Sequence, residues 1–176
     1  MKLDFQRISN DWLKTTLYWF RNEYLIYFIQ EISKIFSFNI NDIQDLQINF
    51  ENREFPPDMI HIVAKTQKIN KKRFSMDLNE FKINKVSHIS NNIRKYIISV
   101  IIGHELIHII QFDLRIIGSK KEELYSKTWI PFLREVKAYK YSQIIAAKHY
   151  TLGRGLPEDQ ALQFFSPIFN FYHDIL

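Results

Sequence analysis

Gly103-His104-Glu105-Leu106-Ile107-His108 constrains this chain more than any other stretch, because it sets two histidines four residues apart inside an apolar run. Ile93, Tyr96, Ile97, Val100, Ile101, His104, Ile107, His108 and Gln111 recur at spacings of three and four, which predicts a helix. Residues four apart share one helical face, so His104 and His108 can aim two imidazole nitrogens at one metal ion. Glu105 can then reach a water held there. Random placement of six histidines and the glutamates of this chain gives an H-E-x-x-H pattern on the order of 1% of the time. Burying two histidines and a glutamate as mere packing residues is costly without a metal or a dense hydrogen-bond network. A catalytic zinc centre is therefore the leading expectation.

Such a centre takes three protein ligands and leaves one position open. The extended metzincin pattern would need Gly at 111 and His at 114, whereas the chain has Gln111 and Leu114. The third ligand must come from elsewhere, and a second helix opens around Trp129 to Ser142. Thr128 can cap it, Pro131 suits its first turn, and Gly153 can end it. Glu135 sits on this helix three residues before Ala138, a carboxylate and a small side chain on one face that would let two helices approach closely. Glu122 and Glu123 are rivals, ranked lower because they lie in the charged run Ser119 to Glu123.

G-H-E-L-I-H at 103 to 108 and E-V-K-A-Y-K-Y at 135 to 141 resemble the gluzincin type of metallopeptidase, and more narrowly the compact ImmA/IrrE-like family. The resemblance covers about a third of the chain. It implies a helix, a short sheet, an active-site helix and a ligand helix in one small zincin-like domain, often cleaving a regulatory protein. No DNA-binding helix-turn-helix accompanies the motif. The absence of cysteine separates the chain from SprT-like proteases that carry a zinc ribbon, and nothing beyond the pentad resembles the clostridial neurotoxin light chains.

A chain of 176 residues with 46% hydrophobic and 24% charged residues can bury a full core as a single domain, 1–176. With no cysteine, a metal must be held by histidine and carboxylate. Residues 1–7 lack the apolar core of a signal peptide, so a cytoplasmic location is expected. Ile97 to Ile110 is too short to span a bilayer. The aromatic segment Leu17 to Ile29 is broken by Arg21 and Glu23 and is expected to be a core helix too. The net charge of +5 is moderate. The basic run Lys65 to Arg73 is expected to be a solvated hairpin loop, with no nucleic-acid motif.

The expected fold class is α+β, with a long N-terminal helix from about Asn10 to Phe36 and a small, mostly antiparallel sheet against the active-site helix. Leu46 to Phe50 and Phe74 to Leu78 alternate, and Met59 to Ala64 is a mostly apolar run, so all three are expected strands. Either 59–64 or 73–78 could be a free edge holding a peptide substrate extended. His61 and His88 have no metal-ligand spacing to the pentad. The aromatic C-terminal segment, with Phe164, Phe165, Phe169 and Phe171, is expected to pack back as a Pro-interrupted helix that shields or dimerises the domain.

The expected activity is hydrolysis of a peptide bond in a protein or peptide substrate. Zn2+ on His104, His108 and Glu135 would acidify a water and polarise the scissile carbonyl, with Glu105 as general base. Tyr139 and His149 are possible oxyanion donors. Two other readings keep the metal: a zinc-binding interaction module without catalysis, and an effector or toxin protease.

Overall fold

The computed structural model of the chain describes residues 1–59, 62–115, 130–151, 160, 162–163, 165–168 and 170. Among these the fold is α+β, with five α-helices and a four-stranded mixed sheet in the order β1-β2-β4-β3. The strands are β1 (Lys2–Arg7), β2 (Gln47–Arg53), β3 (Ala64–Asn70) and β4 (Arg73–Asn79). The helices are α1 (Asp11–Trp19), α2 (Leu25–Phe36), α3 (Glu80–Asn84), α4 (Asn91–Leu114) and α5 (Ile130–Thr151).

Leu3 and Phe5 of β1, Ile48 and Phe50 of β2, and Phe74, Met76 and Leu78 of β4 are buried at alternate positions, as a sheet with one covered face requires. Ile48 pairs with Phe74 and Phe50 with Met76, which aligns the large side chains in rows. The sheet departs from the mostly antiparallel expectation. β1 pairs with β2 and β2 with β4 in parallel, and only the β3–β4 pairing is antiparallel. The physical reason is β1 itself: its alternating Leu3 and Phe5 make a strand, and the helical passage through α1 and α2 returns the chain beside it in the same direction.

The 59–64 expectation is also corrected. Residues 57–59 form a single 3-10 turn, 60–61 lie outside the described residues, and the strand begins at Ala64 and runs through the basic segment expected to be a loop. The apolar run had suggested a buried strand, but the strand that forms is an edge strand, whose outer residues face water and need no apolar pattern. The edges of the sheet are β1 and β3, whereas the 73–78 segment is interior.

The N-terminal helix runs as expected over Asn10 to Phe36, with one irregularity. Asn10 caps it through its side chain to the Leu13 amide at 3.4 Å. A five-residue π-turn, Phe20–Tyr24, then widens the helix between α1 and α2, so the aromatic side chains of this turn enter the core. Ser37, with φ of 55°, ends α2 in the left-handed conformation.

α4 is the central element, packed against α5, β3 and the π-turn. By length and composition it could cross a bilayer, but 72% of its most apolar window is buried inside the domain, the position of a core helix. Gly103 permits that packing. A Cβ there would stand 3.0 Å from Phe28 Cε2 and 3.5 Å from Ser142 Cβ. Phe28 is fully buried, and so is Ala138, the small residue expected to let α5 approach. Gly103→Val adds a branched side chain to this contact and is expected to cost about 1–3 kcal/mol of stability. An unchanged melting temperature would mean that the Phe28 ring can move aside.

The C-terminal segment packs back on the helices where it is described. Phe165 stacks on Tyr96 with centroids 4.6 Å apart, and Ser166 Oγ donates to Gln143 Oε1 at 3.3 Å. Residues 165–168 are helical through Pro167. Phe164, Phe169 and Phe171 lie outside the described residues, as do His61, Glu122, Glu123, Thr128 and Gly153.

Candidate metal centre

His104 and His108 stand one turn apart on α4, their Nε2 atoms 3.0 Å from each other. Glu135, in the second turn of α5, brings Oε1 to 3.0 Å from His104 Nε2 and Oε2 to 3.0 Å from His108 Nε2. One potential ligand atom from each residue lies within 4.8 Å of the others. Ligand atoms on a common tetrahedral zinc, bonded at 2.0–2.2 Å, are about 3.3 Å apart, so little adjustment would be needed.

Gln111 orients one of the two imidazoles. It is buried one turn beyond His108, and its Oε1 lies 3.3 Å from His108 Nδ1. The contact orients the His108 ring so that Nε2 points to Glu135 Oε2 at 3.0 Å. Burial, followed by the neighbouring His104, pushes the His108 pKa below its ordinary 6.5. Those effects outweigh the opposing pull of Glu135, Glu105 and the Gln111 hydrogen bond. Glu135 is held below the ordinary 4.5, first by its hydrogen bond with His104 and against the effect of its partial burial. A neutral imidazole and an ionised carboxylate are the forms that bind a metal.

Gln111→Ala removes the group that fixes the His108 ring and is expected to weaken zinc binding about 10–100-fold, read by competition with a chromophoric chelator. Unchanged affinity would mean that packing alone holds the ring.

Glu105 follows His104 and points toward the sheet. Thr66 of β3 donates from Oγ1 to Glu105 Oε2 at 2.6 Å, which fixes one carboxylate oxygen and leaves Oε1 for another partner. A second tie holds the hairpin end to the same helix: Lys72 Nζ lies 2.7 Å from the buried Asp113 carboxylate. His104, His108, Glu135 and Glu105 line a cleft of about 670 Å³. Its other walls are Met59, Ile62 and the β3 residues Ala64, Lys65 and Thr66 on one side, with Phe112 and Arg134 on the other.

The structure thus brings His104, Glu105, His108 and Glu135 together. Tyr139 and His149 do not line the cleft. The Tyr139 hydroxyl donates to Asn170 Oδ1 at 3.2 Å. His149 lies fourteen residues beyond Glu135, about 21 Å along the helix axis. It packs among Trp19, Tyr24, Tyr27 and Tyr150, where burial lowers its pKa. A shared helical face does not bring residues together when four turns separate them.

Gln111, Thr66 and Arg134 were not foreseen as site residues. Gln111 was within reach of sequence reasoning, since it lies three residues after His108 on the same helix. Thr66 carries no local signal, because its neighbour Glu105 is 39 residues away. In a scan against protein-family models and in searches of curated proteins and of solved structures, nothing matches this chain.

Proposed function

We propose that the chain is a zinc-dependent peptidase of the gluzincin type, nearest the compact ImmA/IrrE-like arrangement, acting on a protein or peptide substrate. The observation that carries this reading is the convergence of His104, His108 and Glu135 beside Glu105 at the wall of an open cleft. Two imidazoles and one carboxylate form a ligand set suited to zinc, with room for a further ligand. When bound, zinc supplies the acidification of a water and the polarisation of a scissile carbonyl.

The chain's own residues do the rest. Glu105 accepts the water proton at Oε1 while Thr66 keeps Oε2 in place, and it then delivers that proton to the leaving amine. Gln111 holds the His108 ring with Nε2 directed at the ligand cluster. β3 is the terminal strand on the cleft side of the sheet, so its outer main-chain groups can take an extended peptide by strand addition. Substrate would then cross the face of Glu105.

The test is zinc content by mass spectrometry after reconstitution, measured beside cleavage of a quenched fluorescent peptide library. About one zinc per chain with cleavage supports the reading. A protein that takes up no zinc, or takes it up and cleaves nothing in the library, overturns it.

A further inference from the structure

We propose that Arg134 reads a carboxylate on the substrate, so that the cleft selects peptides bearing an anionic group beside the bond to be cut. The nature of the ligand rests on the peptidase reading, whereas the anion site itself rests on the cleft.

Arg134 is adjacent in sequence to the ligand Glu135 and lines the same cleft. Its guanidinium carbon lies 5.1 Å from the centroid of the Phe112 ring, within reach of a cation–π contact. The Nε atom is fully buried and has no hydrogen-bond partner. No carboxylate pairs with Arg134 among the described residues, although Arg53 and Lys72 elsewhere in the fold each have one. A guanidinium that lines a cleft without a carboxylate partner is a site for one, and a carboxylate is the group its fork fits.

The rest of the cleft favours the same ligand. Lys65 stands on the β3 wall and has no ion-pair partner among the described residues either. The cleft's two carboxylates are committed, Glu105 to Thr66 and Glu135 to the two histidines. Two cations without an ion-pair partner among the described residues therefore line the space a peptide would fill. The carboxylate could be an aspartate or glutamate side chain, or the free C-terminus of the peptide.

Fluorescein-labelled heptapeptides of alanine, leucine and serine distinguish these sources. One series carries a central Glu or Gln, and the other ends in a free acid or an amide. Their binding is read by anisotropy on the Glu105→Gln protein, both metal-free and zinc-loaded, and on the same protein carrying Arg134→Gln or Arg134→Lys. The expected result is a preference of about tenfold to a hundredfold for the charged member of one series. It persists without zinc, disappears in Arg134→Gln, is partly kept in Arg134→Lys and shrinks with added salt.

Preference for central Glu assigns a side-chain carboxylate, and preference for the free acid assigns the C-terminus. Equal binding within both series, no binding at all, or a preference that survives Arg134→Gln with zinc content and melting temperature intact overturns the proposal. The two readings fail separately. Wild-type protein that cleaves charged and neutral peptides alike keeps the peptidase and loses the anion site, while Arg134-dependent binding without any cleavage does the reverse.

Discussion

Replacing Glu105 by glutamine is expected to lower peptide hydrolysis by about 10²–10⁴-fold and to leave the zinc content unchanged. The substitution keeps size and shape, and the amide oxygen of glutamine can still accept the 2.6 Å hydrogen bond from Thr66. What disappears is the ability to take a proton from water and return it to the leaving amine. Because Glu105 is not among the three converging ligands, metal uptake has no reason to change. Rates on a quenched peptide and zinc by mass spectrometry on the same preparation separate the two effects. A variant as fast as wild type would remove Glu105 from the chemistry, and a variant that also lost zinc would make it a structural residue.

The second large effect concerns the ligands. His104→Ala, His108→Ala and Glu135→Ala are each expected to reduce zinc from about one per chain to near zero at micromolar concentrations, because a two-ligand site holds the ion far more weakly. Circular dichroism must show each variant folded. Full zinc in Glu135→Ala would move the third ligand elsewhere. The pH dependence follows from the shifted groups. His108 is depressed below 6.5, so it is already neutral and competent near that pH, and zinc is lost only as the pH falls through the lower, folded-state value. Glu135 is itself held below 4.5, first by its hydrogen bond with His104, which favours the ionised, metal-competent form.

The metal-free protein has its own linkage. Between 6.5 and the lower pKa of folded His108 the unfolded chain binds a proton that the folded chain does not. The stability contributed by His108 is therefore fully present above 6.5 and is lost as the pH falls through that window. Zinc adds stability by binding only the folded form, a gain that is constant while folded His108 is neutral and shrinks once it takes a proton. Thermal melts of the two forms from about pH 8 downward should therefore run parallel and then converge on further acidification, and a gap that never narrows would argue against His108 as a ligand.

The parts of the site written in local spacing could be read from the sequence. His104, Glu105 and His108 lie within five residues of a strongly periodic helix, and Glu135 lies on a second helix with its own start signals and the small Ala138 beside it. The parts that depend on which strands become neighbours could not. Lys2, Asp4 and Gln6 alternate with Leu3 and Phe5 in β1, a strand pattern legible in the sequence. The parallel direction of β1 and β2 is decided by the passage of residues 8–46 through α1 and α2, which no local window encodes. β3 escaped because an edge strand rich in lysine looks like a loop when its partner β4 is not in view. Thr66 and Lys65 were lost with it, since both reach the cleft only once that strand has formed.

Among the described residues nothing pairs with the outer edge of β3, and that edge bears on self-association. An unpaired strand carrying an exposed Ile69 is a template that a second copy could extend, the first step toward aggregation. Lys65, Lys68 and Lys71 stand along or just beyond this strand, and a second copy would bring the same three positive charges into register against them. That repulsion disfavours pairing of the edge with its own kind and favours an acidic chain there. The lysines that disguise the strand as a loop are the residues that would guard its outer edge.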